Sequence, residues 1–322
     1  MKVIEHLAQA IRTKQPRVSF EIIPPKRGAS LENLEKVVKD LAQFSPPFID
    51  VTSRAAEPLS STGEVQIQKY MRKSPGTLGI CVLIKHKHRI DPVPHVLCQG
   101  FTREETEDFL LELSYCGVEN VLALRGDDLG YEKPLANGKT RNVFTQELVG
   151  QIENLRKGAY LHGQGSLLDF CVGVGGYPEK HAQAVDFASD IHYTQQKVDA
   201  GADYIVTQMF FDNSSYFTYL ANCRNAGITV PIIPGLKILT SKEQVDILQN
   251  TFHCRIPKEL AGLVERAGSN EEVKDIGCEW AVRQARELFA FGYPVVHFYV
   301  MLNVEPIRKV MGQLKENGIL CY

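Results

Sequence analysis

The sequence lacks the features that place a protein on nucleic acid, in a membrane or in a secretory pathway. Its 322 residues carry 36 Lys and Arg against 38 Asp and Glu, so no basic surplus attracts nucleic acid or anionic lipid. No apolar run approaches the roughly 20 residues that cross a bilayer. The first 14 residues place Ile4, Leu7 and Ile11 at helical spacing among charges, unlike a signal peptide. We therefore expect a soluble, cytoplasmic protein with a small-molecule substrate.

Cysteine and histidine are present, but not at the spacing of a disulfide framework or a metal site. The eight cysteines include no Cys-x-x-Cys pair and stand in apolar segments, which predicts reduced, buried side chains. Among nine histidines, His86 and His88 are two residues apart in a basic run, without the neighbours that a zinc site needs. We expect no bound metal. The cysteines are Cys81, Cys98, Cys116, Cys171, Cys223, Cys254, Cys278 and Cys321.

Neither of the common glycine-rich nucleotide motifs is complete. The segment Gly173-Val-Gly175-Gly176-Tyr-Pro lacks the third glycine of a dinucleotide fingerprint, and Pro178 stands where the helix would already have begun. No Gly-x-x-x-x-Gly-Lys-Ser/Thr sequence occurs, which argues against a P-loop hydrolase. Any nucleotide cofactor must therefore be held by other residues.

Strand-like and helix-like patterns alternate from residue 17 to about residue 300. Apolar residues such as Leu31, Leu34, Val38 and Leu41 recur at the helical period between eight short β-rich runs. Several runs are apolar on both faces, which is typical of parallel strands covered by helices. The pattern predicts a (β/α)8 TIM barrel, with a doubly wound sheet as the alternative. The runs are RVSFEII from Arg17, FIDVT from Phe48, VPHVLC from Val93, VENVLAL from Val118, DFCVGV from Asp169, YIVTQMF from Tyr204, VPIIPG from Val230 and VVHFYV from Val295.

Three further features complete the predicted architecture. A helix over residues 1–14 is expected to cover the bottom of the barrel, and a helical insertion over about 257–291 precedes the last strand. No Pro/Gly/Ser-rich linker divides the chain, so residues 1–322 are expected to form one catalytic domain. The polar, glycine-rich tract 127–141 follows the fourth run and is predicted to be a loop.

The predicted strand ends are unusually polar, and Glu21 is the most conspicuous case. TIM barrels carry their chemistry at the C-terminal ends of the strands. Glu21 stands in a run of Val, Phe and Ile, where an unpaired charge would cost several kcal/mol. One interpretation is a functional carboxyl group with a raised pKa, and the other is a structural salt bridge to Arg54 or Arg125.

A helical segment between residues 181 and 197 offers polar groups on one face. Asp190, Tyr193 and Lys197 lie at i, i+3 and i+7, opposite an apolar stripe. This face could hold a nucleotide cofactor. The alternative is an ordinary solvated helix surface.

Four motifs occur in order along the chain. They are Ser19-Phe-Glu21-Ile-Ile-Pro-Pro-Lys26, Val121-Leu-Ala-Leu-Arg125-Gly-Asp127, Gly176-Tyr-Pro-Glu-Lys-His181 and the run from Lys197 through Gln208 to Asp212. Together they resemble the methylenetetrahydrofolate reductase family, of the bacterial type with the catalytic domain only, over about residues 16–303. The resemblance implies a TIM barrel that reduces 5,10-methylenetetrahydrofolate to 5-methyltetrahydrofolate in one-carbon metabolism and methionine biosynthesis. It also implies that hydride passes from NADH or NADPH through FAD in a ping-pong sequence.

The resemblance also implies roles for individual residues. Glu21 matches the acid catalyst, which protonates the folate, and Asp127 matches the carboxylate that faces flavin and pterin. Gln208 and Gln244 match positions that bind folate or nicotinamide. The positions that match flavin contacts are Thr52, His95, Arg125, Gly126, Asp127, Phe144, Tyr177, His181, Ala184, Asp190 and Lys197.

The chain departs from the family pattern at four positions and in its length. Ser53 and Phe144 stand where tyrosine is usual, Gln196 where arginine occurs, and Val304 where some relatives have a substrate-binding arginine. These departures concern the tails of flavin and folate. The chain ends soon after the eighth unit, so the resemblance predicts no C-terminal regulatory domain.

Two other classes of function remain open at this point. One is another FAD-binding barrel oxidoreductase, either similar to proline dehydrogenase or supplied with electrons by a protein donor. The other is a non-redox folate-binding or methyltransferase-like barrel. The sequence leaves open the choice between NADH and NADPH, the number of glutamates on the folate and the oligomeric state, a homo-oligomer included.

Overall fold

A computed structural model describes residues 1–54, 57–58, 70–71, 76–126, 135 and 138–322 of the chain. The helices are α1 (Val3–Thr13), α2 (Leu31–Ala42), α3 (Thr77–His88), α4 (Arg103–Tyr115), α5 (Thr145–Arg156), α6 (Phe187–Asp199), α7 (Asn213–Asn225), α8 (Glu243–Asn250), α9 (Lys258–Arg266), α10 (Asn270–Ala290) and α11 (Glu305–Glu316). The strands are β1 (Arg17–Ile22), β2 (Phe48–Val51), β3 (Glu57–Pro58), β4 (Tyr70–Met71), β5 (Asp91–Leu97), β6 (Asn120–Leu124), β7 (Ala159–Tyr160), β8 (Gly163–Gln164), β9 (Cys171–Gly176), β10 (Tyr204–Thr207), β11 (Ile232–Ile233), β12 (Gly235–Leu236) and β13 (Val295–Met301).

Nine of these strands form a parallel sheet that closes into a barrel. Their order is β11-β10-β9-β6-β5-β2-β1-β13-β12, and the two end strands are separated in sequence only by Pro234. They are two halves of one barrel strand, the first paired with β10 and the second with β13. The carbonyl of Pro234 accepts a hydrogen bond from His297 N at 2.9 Å. The barrel therefore has eight strands, and the predicted (β/α)8 fold is confirmed.

Strand β1 shows how the sequence divides its side chains between the two faces of the barrel wall. Phe20 and Ile22 are fully buried in the layer between the sheet and the outer helices. Because side chains alternate along a strand, Ser19 and Glu21 point into the barrel. There the Ser19 hydroxyl lies 2.9 Å from Nδ1 of His297 on the neighbouring strand. The barrel interior is therefore partly polar at this strand.

The N-terminal helix closes the bottom of the barrel, as predicted. Val3 and Leu7 of α1 pack in one buried cluster with Phe48 and Val93 from the strands. The helix is also tied to a strand start, since Val3 N donates to Asn120 Oδ1 at 2.8 Å. Among the described residues, α1 thus covers the end of the barrel opposite the strand ends that carry Glu21.

The helical insertion before the last strand is confirmed, and two other features differ from the expectation. Helices α9 and α10 occupy the predicted region, and α8 precedes them. The run VPIIPG, predicted as one strand, is broken at Pro234, because proline lacks the N–H that a ladder needs. The short antiparallel pair β7–β8 was not predicted. That residues 1–322 form a single domain without a regulatory domain stays a prediction.

All eight cysteines are free, and most are buried as expected. Cys321 is exposed and Cys116 is half-buried, so the expectation of burial is wrong for these two. Burial raises the pKa of the Cys98 thiol to about 12, which keeps it in the unreactive thiol form. Among the helices of the described residues, none is both long and apolar enough to span a membrane.

Candidate active site

Glu21 lies at the C-terminal end of β1 and has a histidine as its ion partner. Glu21 is only 7% exposed, and its Oε2 lies 3.4 Å from Nε2 of His95 on β5. Arg125 instead donates a hydrogen bond from Nη1 to Gln183 Oε1. Within the described part of the chain, the proposed salt bridge to Arg54 or Arg125 is therefore not the pairing that Glu21 makes.

A second carboxylate, Asp50, lies near the same nitrogen of His95. Asp50 is paired with Glu21 in the register of β1 and β2, so both side chains point into the barrel. Its Oδ2 is 3.9 Å from His95 Nε2, and its side chain is fully buried. Within the described residues, neither oxygen of Asp50 nor Nε2 of His95 has a hydrogen-bond partner. We call Glu21, Asp50, His95 and Lys237 the acid cluster.

The charges of the acid cluster determine the protonation of its histidine. Burial alone would lower the pKa of His95, but the carboxylates of Asp50 and Glu21 raise it to about 9. With both carboxyl groups ionised, His95 is therefore an imidazolium at neutral pH. Lys237, which directly follows β12, behaves differently, since burial lowers its pKa to about 8 although Glu21 opposes that shift. Its Nζ donates to the carbonyl of Tyr299 at 2.9 Å.

Below the acid cluster, β13 contributes a second buried histidine. His297 is fully buried, and burial lowers its pKa, so its imidazole is neutral at physiological pH. One ring nitrogen contacts Ser19, and the other has no hydrogen-bond partner among the described residues. His297 thus adds a neutral polar group to the barrel interior.

A group of cationic side chains lies at the ends of β6 and β9 and on α6. Arg125 follows β6, and Tyr177 and His181 follow β9, where their rings meet edge to face at 4.6 Å. Lys197 Nζ donates to the Gly175 carbonyl at 2.7 Å and lies 5.6 Å from the centre of the Tyr177 ring. We call Arg125, His181, Lys197 and Asp190 the cationic cradle.

The electrostatics of the cationic cradle reflect the crowding of positive charge. Burial and the neighbouring cations Lys197 and Arg125 lower the pKa of His181. Burial likewise lowers the pKa of Lys197 to about 8, although Asp190 opposes the shift. Burial raises the pKa of Asp190, and its Oδ2 has no hydrogen-bond partner among the described residues. The cradle therefore offers several donors and one acceptor to an anionic, hydroxyl-bearing ligand.

The structure corrects the interpretation of the α6 face. Asp190 is 3% exposed and Lys197 is half-buried, so for these two residues the solvated-surface alternative is wrong. Tyr193 is 50% exposed and does not share their burial. The apolar Phe187 on the same helix is 42% exposed. The buried residues of α6 thus include the polar Asp190 and Thr194 beside the apolar Ile191.

The two glutamines predicted to bind substrate lie at different strand ends. Gln208 follows β10, and its side-chain oxygen accepts a hydrogen bond from Met209 N at 3.0 Å. Gln244 on α8 binds both the amide and the hydroxyl of Thr240 at 2.9 Å. Gln244 also lines a cavity of about 170 Å³ together with Lys237 and Tyr299. This cavity joins one predicted substrate residue to the acid cluster.

The remaining predicted flavin positions are distributed around the same end of the barrel. Thr52 follows β2, and Gly126 follows β6 with a φ of +89°, where glycine is favoured. Ala184 is buried and accepts a hydrogen bond from Lys180 Nζ at 2.5 Å. Phe144 is the residue before α5 and is half-exposed. Asp127 and most of the predicted loop 127–141 lie outside the described residues.

The departures from the family pattern have simple structural surroundings. Ser53 is half-buried beside Thr52, at the end of β2. Gln196 on α6 contacts His192 at 3.1 Å between the two Nε2 atoms. Val304 is buried at the start of α11. None of these contacts involves the acid cluster.

Sequence reasoning missed Asp50 and Lys237. Asp50 is the one charged residue in FIDV, which is the same signal that identified Glu21. Lys237 directly follows the broken seventh strand, and strand ends are where barrel chemistry is expected. Both residues could therefore have been found by the rule that was applied to Glu21.

Comparison with known proteins places the chain in a family. The sequence model described as methylenetetrahydrofolate reductase matches residues 6–315. A probable methylenetetrahydrofolate reductase (NADH) of Oryza sativa subsp. japonica is 30% identical over 99% of this chain and 51% of that protein. The 5,10-methylenetetrahydrofolate reductase of Salmonella typhimurium is 28% identical over 90% of this chain and 88% of that protein. The chain spans about half the length of the plant relatives that it matches.

A solved structure gives the same fold. An uncharacterised protein from Clostridium thermocellum that binds two copies of 5-methyl-5,6,7,8-tetrahydrofolic acid has a TM-score of 0.59 with this chain. The match covers 97% of this chain and 98% of that chain at 13% identity, so it concerns the fold alone. The family match extends over nearly the whole sequence. The chain belongs to the methylenetetrahydrofolate reductase family.

Proposed function

We propose that the protein reduces 5,10-methylenetetrahydrofolate to 5-methyltetrahydrofolate with a nicotinamide nucleotide, and that it holds FAD noncovalently. The observation that carries the proposal is the buried carboxyl group of Glu21 at the open end of the barrel, held against His95. Family membership and the names of the bacterial relatives support the same reaction. Relatives are named for either NADH or NADPH, so the nicotinamide preference stays open.

The residues of the cationic cradle suit FAD. Arg125, His181 and Lys197 can donate to its pyrophosphate, and the unpartnered oxygen of Asp190 can accept from its hydroxyl groups. Thr52 also has a buried hydroxyl without a hydrogen-bond partner among the described residues. The predicted flavin role of His95 stands beside its observed contact with Glu21. When bound, FAD would supply the hydride chemistry that no side chain can provide.

Glu21 is the proton donor of the proposed reaction. The five-membered ring of methylenetetrahydrofolate opens when one of its bridging nitrogens takes a proton and the C–N bond electrons move onto that nitrogen. This leaves a cationic iminium group that can accept hydride. Glu21 gives the proton and becomes a carboxylate, whose negative charge then favours the cation. Asp127 is proposed to favour the same cation through its negative charge.

The glutamines and Lys237 would orient the substrate. The amide of Gln208 is held near the barrel mouth through Met209, and Gln244 lines the cavity that reaches Lys237. These groups offer donors and acceptors to the polar edge of a pterin or a carboxamide. Fixing that edge places the reacting carbon without contributing to the chemical step itself.

The test begins with the purified protein. We expect a flavin absorption band near about 450 nm, complete release of flavin on acid precipitation, and recovery after adding FAD. Under anaerobic conditions, NADH or NADPH should bleach the band, and methylenetetrahydrofolate should restore it with formation of 5-methyltetrahydrofolate. A flavin that only a protein donor or proline reduces would support the other oxidoreductases. A protein that binds folate but no flavin would support a non-redox barrel.

A further inference from the structure

Asp50 has no role in the mechanism described so far, and its surroundings make it unusual. Its side chain is fully buried inside the barrel, and neither oxygen has a hydrogen-bond partner among the described residues. A buried carboxylate without a counter-charge is strongly unfavourable. The nearest cationic atom described is Nε2 of His95, at 3.9 Å. Asp50 therefore depends on His95 for its charge compensation.

Two carboxylates lie beside His95, and in the proposed mechanism one of them, Glu21, takes part in proton transfer. Glu21 and Asp50 lie 3.4 and 3.9 Å from the same nitrogen, and they are adjacent in the register of β1 and β2. During turnover Glu21 alternates between the protonated and the ionised form. When it is protonated, it no longer balances the imidazolium, whereas Asp50 still does.

We propose that Asp50 is a positioning residue, the permanent counter-ion of His95, which allows Glu21 to carry a proton while His95 stays positively charged. This inference rests on the proposed function, because it assigns Glu21 the role of acid. Without Asp50, Glu21 would be the one carboxylate left beside the imidazolium among the described residues. Glu21 would then be held in its ionised form and could not protonate the folate.

The other described groups around Glu21 and Asp50 add no further negative charge. Lys237 beyond β12 is a second cation, and its charge also favours ionised Glu21. From β13, His297 is neutral, and burial keeps the Tyr299 hydroxyl protonated by raising its pKa. Tyr204 on β10 is likewise un-ionised, because burial raises the pKa of its hydroxyl. Among the described residues, Asp50 and Glu21 are the two carboxylates that raise the pKa of His95.

The first experiment compares the pH dependence of the two half-reactions in wild type and Asp50→Asn. We expect flavin reduction by the nicotinamide nucleotide to stay within about twofold. Folate reduction at pH 7 should fall on the order of 10-fold or more, and it should recover as the pH is lowered. The pH at which folate reduction has lost half its rate should move down by about one unit or more.

Tyr204→Phe is the matched control. It removes a fully buried hydroxyl that has no hydrogen-bond partner among the described residues, and it changes no charge. We expect it to keep the wild-type pH profile. If Asp50→Asn and Tyr204→Phe lowered both half-reactions equally without a shift in pH, Asp50 would be a packing residue and the proposal would be wrong.

A second measurement does not depend on folate chemistry. NMR titration of histidine ring signals, with His95 assigned through His95→Gln, should show an imidazolium in wild type until about pH 9. In Asp50→Asn, His95 should lose its proton at lower pH. A wild-type His95 that titrates near its ordinary value would overturn the inference even if the variant failed to fold. Failure of wild type to reduce methylenetetrahydrofolate, with His95 titrating as expected, would instead refute the proposed function.

Discussion

Replacing Glu21 by Gln tests the proton donor with little change in shape. Gln keeps the size of the side chain and its capacity for hydrogen bonds, but it has no acidic proton. Reduction of FAD by NADH or NADPH needs no protein acid, so this half-reaction should stay within a fewfold of wild type. Ring opening of the folate does need one. Loss of a general acid lowers the rate on the order of 100-fold to 10,000-fold. This corresponds to a rise of about 3 to 5 kcal/mol in the activation free energy of folate reduction.

The structure also shows why the variant should fold. With both carboxyl groups ionised and an effective dielectric constant of about 20, the attractions of His95 to Glu21 at 3.4 Å and to Asp50 at 3.9 Å are about 5 and about 4 kcal/mol. Glu21→Gln removes the first and keeps the second. The loss of stability should therefore be smaller than the roughly 3 to 5 kcal/mol expected when a buried pair loses its only partner. The pKa of His95 should fall below about 9.

Anaerobic stopped-flow absorption measures the two half-reactions separately, and thermal unfolding measures stability in the same samples. Near wild-type reduction of methylenetetrahydrofolate by Glu21→Gln would remove Glu21 from the mechanism. Equal loss of both half-reactions, or loss of bound flavin, would mean that Glu21 holds the site together and does not donate the proton.

Four further substitutions test other parts of the site and the fold. Because Lys197 loses its charge above about pH 8, wild-type FAD affinity, measured by fluorescence titration of apoprotein, should weaken as the pH rises through that value. Lys197→Met should bind FAD more weakly at pH 7 and lack this dependence; identical profiles would contradict the role. A Cβ on Gly277 of α10 would lie 1.9 Å from the Leu239 carbonyl oxygen, so Gly277→Ala should lower the free energy of unfolding in denaturant titrations by about 1 to 3 kcal/mol or more. Gly150→Ala in α5, where no atom lies within 4 Å, should raise it by about 0.5 to 1 kcal/mol, and a similar effect of both would refute the steric argument. Asp127→Asn should slow folate reduction more than flavin reduction, because a negative charge favours the cationic folate intermediate; equal slowing would indicate a role in flavin positioning.

The fold could be predicted because each barrel strand and each helix has a recognisable local sequence pattern. Period-3.6 stripes and short apolar runs depend on neighbours in the chain, and the barrel needs little else. The break at Pro234 was harder to foresee, since the run VPIIPG looks continuous. Its two halves are separate strands because β11 bonds to β10 while β12 bonds to β13, which is a property of barrel closure. Closure is a long-range feature that no local pattern contains.

The site was predictable wherever a residue contradicted its local surroundings. Glu21 was found because a charge in an apolar strand demands an explanation, and Asp50 carries the same signal. Helical spacing brought Asp190 and Lys197 together, but it could not show that their face is buried. Burial of that face depends on how α6 lies against β9, where the Gly175 carbonyl receives Lys197. Only the folded chain contains that contact.

The identity of the cation beside Glu21 matters for its chemistry. An arginine, the partner first considered, would carry a permanent charge and could grip the carboxylate through two parallel hydrogen bonds. Such a pair would hold Glu21 ionised and unable to act as an acid. His95 lies 3.4 Å from Glu21 and 3.9 Å from Asp50, so its charge acts on both carboxyl groups. In the proposed mechanism Asp50 balances the charge of His95, so Glu21 can carry the proton that an acid catalyst needs.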